Sequence, residues 1–257
     1  MQKMWAIYKK ELKIFFSMPV AYVVMAVFMV LSGYFFANIV NYYAMVSLRG
    51  MQQQQRMQMD LSMIEGIFRP YFHNVVIVLI LMIPLITMRL FAEEKREGTS
   101  ELLFTYPVND FTIVSAKFLS AMTVYVSMLV GTLSCFVLLR VITAYELLPA
   151  LSGILGLLLI GAAFIALGIF ISALTESQIV AAVISFGVLL LFIVLPWMAQ
   201  SAGPGMGRII NELSIIGHFD SFAKGVLATG DLIYLINFCV LFFFLTLRVL
   251  ESKQWRG

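Results

Sequence analysis

Residues 149–198 set the class of this protein, because they form two long apolar runs: PALSGILGLLLIGAAFIALGIFISAL, then TES, then QIVAAVISFGVLLLFIVLPWM. The only charged residue in this stretch is Glu176, which lies in the short turn between the two runs. A helix that spans a bilayer needs about 20 consecutive apolar residues, and both runs satisfy that requirement. The stretch therefore predicts two transmembrane helices joined by a tight turn.

The rest of the chain has the same character. Hydrophobic residues make up 61% of the 257 residues, charged residues only 12%, and the mean hydropathy is +0.97. A soluble domain is about half apolar and a quarter charged, so the composition excludes a single soluble enzyme domain. We predict an all-α integral membrane protein with six transmembrane helices, at residues 20–41, 73–89, 116–139, 149–174, 178–198 and 231–250.

The lysines and arginines predict the orientation of the chain, because these residues are enriched in cytoplasmic connections. Eleven of the 17 fall on the side of the membrane that holds both termini, and six fall on the other side. We therefore expect a multi-pass protein of the bacterial inner (cytoplasmic) membrane, with both termini in the cytoplasm.

Four segments outside the spans have distinct patterns. Residues 1–18 predict an amphipathic helix in the cytoplasmic interface, in contact with membrane lipid. Its apolar face carries Trp5, Tyr8, Leu12, Phe15 and Phe16, and its opposite face carries Lys3, Lys10 and Lys13. The external loop of residues 42–72 is expected to contain a short amphipathic helix. Residues 199–230 form a second external segment, and residues 251–257 form a cytoplasmic tail.

The charge distribution argues against several classes of transporter and enzyme. Ion-coupled carriers keep acids or bases at membrane depth, whereas Glu146, Glu176 and Asp231 lie at the ends of the predicted spans. No tandem-glycine selectivity filter supports a channel. The chain also has no G-x-x-x-x-G-K-[ST] loop. ATP and Mg are therefore expected to bind to a partner ATPase, and this chain is expected to need no cofactor of its own.

Glu93 and Glu94 are similar to the paired glutamates of membrane-embedded proteases of the CAAX-processing kind, but the rest of that site is missing. Those proteases place an arginine where this chain has Gly98. Metal ligands must lie about 2 Å from one ion, and both histidines, His73 and His218, are predicted on the opposite side of the membrane. We therefore expect no catalytic residue and no metal site, and we expect no nucleic-acid partner.

The cytoplasmic segment of residues 90–115 is the most charged part of the chain. Its sequence FAEEKREGTSE is followed by the apolar triplet Leu102, Leu103 and Phe104, and then by the turn PVND. A solvated loop gains nothing from exposing apolar residues. A short helix with an apolar patch is instead typical of a segment that docks into a groove on a soluble partner.

Two motifs resemble one protein family. The sequence EEKREGTSELLFTYPV of residues 93–108, followed by SAK at 115–117, resembles the region between the second and third spans of type-2 ABC transporter permeases. The sequence LSIIGHFDSFAKGV of residues 213–226 is similar to the subfamily that holds the gliding-motility permease GldF and the copper-site maturation permease NosY. The resemblance extends over essentially the whole chain.

The resemblance implies a type-2 ABC exporter permease fold. In that fold residues 1–18 are the interfacial elbow helix, a coupling helix lies around residues 93–104, and residues 199–230 form short external re-entrant helices. It also implies a dimer of cytoplasmic ABC ATPase subunits as partners, and a second permease copy or a related membrane subunit. The ATPase-coupling positions would be Glu93, Glu94, Glu97, Gly98, Glu101, Leu102, Leu103 and Phe104. An external gate would include His218, Phe219 and Phe222.

Two functions are consistent with these patterns. The first is the permease subunit of an export-type ABC complex linked to gliding motility. The second is a mechanotransmitting or scaffolding subunit, in which the ATPase cycle drives a periplasmic partner and no solute crosses. The glycines and alanines of the fourth predicted span favour close packing between helices, and the predicted spans contain few polar residues. Both features suit the second function at least as well as the first.

Overall fold

A computed structural model describes residues 2–52, 62–98, 109–143, 145–201 and 203–254. Every element within these residues is helical. A π-helical turn, Ile64–Phe68, precedes the third of ten α-helices in the described chain. The α-helices are α1 (Gln2–Ser17), α2 (Pro19–Gln52), α3 (Arg69–Thr87), α4 (Arg89–Arg96), α5 (Asp110–Ile142), α6 (Leu147–Leu174), α7 (Gln178–Ser201), α8 (Gly203–Glu212), α9 (Ile215–Ala223) and α10 (Thr229–Gln254).

Six helical stretches in the described residues are long and apolar enough to cross a membrane, and each overlaps one predicted span. Their bounds are Pro19–Leu48, Ile64–Arg96, Asp110–Val141, Leu147–Leu174, Gln178–Ala199 and Thr229–Ser252. The prediction of an all-α fold with six membrane-spanning helices is therefore confirmed.

The first spanning helix is longer than the sequence predicted. Helix α2 continues past residue 41 to Gln52, so part of the predicted external loop is an extension of the span. No glycine or proline interrupts residues 34–49, and the helix continues through Gly50. The extension packs against the π-helical turn at Gly66, where an added Cβ would lie 2.6 Å from a ring carbon of Tyr43. Only glycine permits this approach.

Helix α6 is the centre of the bundle and contacts α3, α5, α7, α9 and α10. Its four glycines each receive a side chain from another helix. Gly153 faces Phe72, Gly156 faces Phe222, Gly161 faces Tyr125 and Gly168 faces Thr87. Small residues allow membrane helices to approach closely. The glycines of α6 are thus contacted by side chains from three different helices, α3, α5 and α9.

We expect Gly161→Ala to destabilise the protein, because the new Cβ would lie 2.6 Å from the hydroxyl oxygen of the fully buried Tyr125. Overpacking of this kind costs about 1–3 kcal/mol. Gly187→Ala is the matched control in α7, since nothing lies within 4 Å of a Cβ added there. Thermal unfolding in detergent should show a lower melting temperature for the first variant only. Equal melting temperatures for both variants would contradict this packing.

Helix α4 differs from the coupling helix predicted around residues 93–104. It begins earlier, at Arg89, and ends at Arg96. The termination has a local cause: the backbone N–H of Glu97 bonds to the carbonyl oxygen of Glu93 at 3.0 Å, and Gly98 then adopts a left-handed conformation with φ of +69°. A positive φ after the last helical residue is a common way to end a helix. Residues 99–108 lie outside the described residues.

The segment of residues 199–230 contains two short helices, α8 and α9, which follow the end of α7. Ser214 caps α9, because its hydroxyl oxygen accepts a hydrogen bond from the backbone N–H of Gly217 at 3.2 Å. Gly225, with φ of +85°, allows the chain to turn after α9 towards α10. These helices occupy the segment in which the resemblance predicted re-entrant helices.

Candidate functional site

The first part of the predicted coupling segment is fixed to the end of α6. The hydroxyl oxygen of Ser172 accepts hydrogen bonds from the backbone N–H groups of Phe91 and Ala92, both at 3.1 Å. The same hydroxyl donates to the carbonyl oxygen of Met88 at 2.9 Å. The ammonium of Lys95 donates to the carbonyl oxygen of Ala173. Since the first N–H groups of a helix have no partner within it, Ser172 stabilises the start of α4 directly.

A buried ionic cluster joins α4 to two other helices. The ammonium of Lys117, in α5, lies 2.8 Å from a carboxylate oxygen of Glu11 in α1. It also lies 3.0 Å from a carboxylate oxygen of Glu94 in α4, and it donates to the carbonyl oxygen of Leu90 at 2.6 Å. Only 1% of the Lys117 side chain is exposed. We call Glu11, Glu94 and Lys117 the buried triad.

The charges of the buried triad are balanced by a fourth residue. Two carboxylates and one ammonium would leave one negative charge in excess, but Lys10 lies 3.4 Å from Glu94 at the edge of the cluster. Removing a charge from water is costly unless it is paired and hydrogen-bonded. Lys117 satisfies this condition, because both carboxylates and a backbone carbonyl surround its ammonium. The triad can therefore exist only while α1, α4 and α5 keep these relative positions.

A second contact links α1 to α4 beside the triad. The guanidinium of Arg89 lies 4.9 Å from the ring centroid of Phe15 in α1, and its Nε lies 3.4 Å from a carboxylate oxygen of Glu93. Arginine over an aromatic face is attracted by the ring. Because Arg89 is 8% exposed, this contact also lies in the protein interior.

The predicted coupling residues thus divide into three groups. Glu94 forms an ion pair with Lys117 in α5, and Glu93 forms one with Arg89 in α4 itself. Glu97 and Gly98 are exposed at the end of α4. The remaining four positions, Glu101, Leu102, Leu103 and Phe104, lie outside the described residues.

Sequence reasoning missed Glu11 and Lys117 as members of a site. Glu11 lies one helical turn before Phe15, on the face of α1 that packs against α5, and is 5% exposed. An acid on the apolar face of a basic amphipathic helix was the available signal. Lys117 is a lone cation in the apolar sequence TIVSAKFLSAM. Ionisable residues inside a span are rare, and they usually pair with another ionisable residue or with a backbone carbonyl.

The predicted gate residues lie at the other end of the bundle. Phe219 and Phe222 are fully buried, and both contact the position of Gly156 in α6. His218 stacks on Tyr234 with ring centroids 3.9 Å apart. Its Nδ1 lies 2.7 Å from a carboxylate oxygen of Asp231, and its Nε2 lies 3.1 Å from the carbonyl oxygen of Glu212. These contacts tie α9 to the start of α10, and a role as a gate stays a prediction.

A charged clamp fixes α9 to the start of α3. Arg69 donates two hydrogen bonds to the carboxylate of Asp220, at 2.7 and 3.1 Å, and Lys224 lies 2.6 Å from the same carboxylate. Burial alone would raise the pKa of Asp220, but hydrogen bonds from Arg69 and Lys224 outweigh it and hold the pKa below its ordinary value. The carboxylate is therefore charged at neutral pH.

The lowered pKa of Asp220 predicts how stability depends on pH. An unfolded aspartate has a pKa of about 3.9, so the clamp is complete above that value and is lost as pH falls through the lower, folded pKa. Asp220→Asn should lower the free energy of unfolding by about 1–3 kcal/mol at neutral pH. The difference in the free energy of unfolding between the wild type and Asp220→Asn should stay constant from pH 8 to 5 and shrink only below about pH 4.

Thermal unfolding in detergent across this pH range provides the measurement. It should be made in a His73→Gln background, because His73 Nε2 lies 3.5 Å from the Asp220 carboxylate and the comparison should report on Arg69 and Lys224 alone. A stability difference that vanishes well above pH 5 would contradict the charged clamp.

The geometry gives no support to a metalloprotease site in the described residues. Those residues contain no group of three or more histidine, cysteine, aspartate or glutamate side chains placed to hold a metal ion. His73 lies in the first turns of α3, and Glu93 and Glu94 lie beyond its other end. At 1.5 Å per residue, α3 alone separates them by about 20 Å.

Comparison with known protein families gives a match that extends over nearly the whole chain. A family described as ABC-2 family transporter protein matches residues 5–254. The matched region includes all six spans, the buried triad and the charged clamp. A search of curated proteins gave no match.

Proposed function

The chain belongs to the ABC-2 transporter family, and from this premise we propose that it is the permease subunit of an export-type complex linked to gliding motility. It is a multi-pass membrane protein and the membrane component of an ABC transporter. In the proposal a separate cytoplasmic ATPase binds ATP and Mg, and the segment of residues 90–115 couples its cycle to this chain. The proposed location is the bacterial inner membrane, with both termini in the cytoplasm.

The single observation that best supports the proposal is the double attachment of α4. Ser172 and Ala173 hold it to the end of α6 on one side. Lys117 holds it to α1 and α5 on the other side. Any displacement of α4 must therefore move or break contacts with three other helices, which is the arrangement that a coupling element requires.

We propose the following cycle for the complex. ATP binding draws the two partner ATPases together and displaces residues 93–104 in each of two permease subunits. The bundles then tilt, and access along the permease interface changes. A ligand shifts a conformational equilibrium only through its different affinities for the two states. The relevant contacts are therefore those that α4 makes and breaks, and no residue of this chain needs to perform chemistry.

A second candidate is mechanotransmission to a periplasmic partner. Helix α3 runs from the charged clamp at Arg69 and Asp220 to the turn that begins α4. Helix α3 is thus attached to α4 at one end and to α9 at the other. A displacement of α4 would therefore be transmitted to α9 through α3. This connection supports mechanical work on an external partner, without requiring a path for solute.

The proposal is tested by affinity purification of the tagged chain in mild detergent from its native cells, followed by mass spectrometry. Recovery of a P-loop ATPase is the expected result. An additional large periplasmic protein that binds through residues 199–230 would favour mechanotransmission over export. Recovery of the intact, folded chain without any ATPase would overturn both candidates.

A further inference from the structure

Both ring nitrogens of His218 face hydrogen-bond acceptors. Nδ1 lies 2.7 Å from a carboxylate oxygen of Asp231, and Nε2 lies 3.1 Å from the backbone carbonyl oxygen of Glu212. A neutral imidazole has one N–H group and an imidazolium has two, whereas an ionised carboxylate and a carbonyl can only accept. His218 can therefore make both hydrogen bonds only as the imidazolium. An imidazole is ordinarily a stronger base than an aspartate carboxylate, so the proton between them belongs to His218.

The imidazolium joins three helices at the end of the bundle opposite α4. Glu212 is the last residue of α8, and the last carbonyl groups of a helix have no partner within it. Asp231 lies in the first turn of α10. Further along α10, the ring of Tyr234 stacks on His218 with centroids 3.9 Å apart, and an aromatic ring attracts a cation at this distance. Loss of the proton would leave a lone pair facing one of the two acceptors and would remove this attraction.

Asp231 supplies the negative charge that faces His218. Helix α9 packs against α3, α6, α7, α8 and α10, and the sequences of α6 and α7 contain no charged residue. The titratable and charged side chains at this end of the other three helices are Arg69, Tyr71 and His73 in α3, Arg208 and Glu212 in α8, and Asp231 and Tyr234 in α10. Arg69 and His73 lie at the carboxylate of Asp220, and Tyr71 is hydrogen-bonded to Ser32. The residues Arg208 and Glu212 are exposed.

We propose that His218 is a positioning residue that acts as an imidazolium, and that it makes the attachment of α8 and α9 to α10 depend on pH. Histidine side chains change charge between about pH 5 and 8. The attachment is therefore complete at the acidic end of that range, and it weakens as pH rises and the proton leaves. In the orientation proposed above, this end of the bundle is external, so the controlling proton comes from outside the membrane. The inference goes beyond the proposed function and requires no ATPase.

The protonation of His218 can be observed directly, because the chain has only two histidines. In a His73→Gln background, with a purification tag that contains no histidine, His218 is the single histidine. Nitrogen-15 NMR of the histidine-labelled protein in detergent distinguishes an imidazolium from both neutral tautomers. Between about pH 5 and about pH 9 we expect two protonated ring nitrogens at the acidic end and the loss of one proton as pH rises. A neutral ring at the acidic end would overturn the proposal.

The effect on the attachment is measured by thermal unfolding in the same background and over the same pH range. His218→Gln should lower the melting temperature by about 2–4 °C at the acidic end, the size expected for the loss of one hydrogen bond from a protein of this length. This difference should shrink with the NMR titration and disappear once the ring is neutral. A purely structural role of His218 would give the same loss at every pH, and that result would overturn the proposal.

Two acid variants test the assigned contacts. Asp231→Asn should remove the pH dependence, because an asparagine amide can donate to Nδ1 of a neutral imidazole while Nε2 still donates to the Glu212 carbonyl. Glu212→Gln is the matched control, since it removes an exposed carboxylate and keeps the backbone carbonyl that accepts from Nε2. An unchanged pH dependence in Asp231→Asn, or its loss in Glu212→Gln, would contradict the proposal. The partner ATPase takes no part in these measurements, so their failure would leave the proposed coupling unaffected.

Discussion

Replacing Leu103 with aspartate is expected to lower the amount of ATPase that co-purifies with this permease by about tenfold or more. Leu103 lies in the apolar triplet that follows the charged end of α4. Burying a leucine side chain in an interface contributes about 1.5–3 kcal/mol, and each 1.4 kcal/mol changes an affinity about tenfold. An aspartate would add the cost of removing a charge from water. Quantitative mass spectrometry of the purified complex measures the ratio.

Leu227→Asp is the matched control for this variant. Leu227 is 60% exposed in the turn between α9 and α10, at the end of the bundle opposite α4. The Leu227→Asp variant should leave recovery of the ATPase at the wild-type level. The same ATPase recovery for Leu103→Asp as for the wild type would contradict docking through the triplet.

Lys117→Met should cause the largest loss of stability of any single substitution in the buried triad. It leaves Glu11 and Glu94 as two carboxylates in the protein interior without their shared cation. Breaking a buried ion pair by removing one partner costs about 3–5 kcal/mol. Chemical unfolding in mixed micelles measures this loss. Lys10→Met is the control, because the Lys10 side chain is 54% exposed and exposed ion pairs contribute about 0–1 kcal/mol.

A triple variant separates the loss of pairing from the loss of packing. Combining Lys117→Met with Glu11→Met and Glu94→Met removes all three charges of the triad. Replacing a buried ionic group with apolar residues of similar volume is often neutral or stabilising. The triple variant should therefore recover most of the stability that Lys117→Met loses. A triple variant as unstable as Lys117→Met would contradict this explanation, because it would show that the unpaired carboxylates do not cause the loss.

The spans and their number could be predicted because each depends on a continuous run of sequence. Apolar runs of about 20 residues suffice to identify a membrane-spanning helix, and the two runs on either side of Glu176 became α6 and α7. The ends of helices depend on finer features. The termination of α4 at Arg96 depends on the single residue Gly98, to which composition alone gives no weight. Helix α2 continues to Gln52 although Gly33 and Gly50 lie within it.

The buried triad could not be predicted, because its members are far apart in sequence. Glu11 and Lys117 meet only after α1 packs along α5, and no local pattern specifies that contact. Each residue nevertheless carried a local signal, an acid on an apolar helical face and a single cation within an apolar run. The resemblance directed attention to Glu94 as a coupling position, and the structure reveals that this residue faces inward towards Lys117.

The most direct test of the central claim is photo-cross-linking in intact cells, with p-benzoylphenylalanine placed at Leu103 in one strain and at Leu227 in another. The account predicts that position 103 cross-links to a P-loop ATPase and that position 227 does not. Absence of an ATPase adduct at position 103 in a strain that expresses the folded chain would contradict the account. An ATPase adduct at position 227 would contradict its proposed orientation.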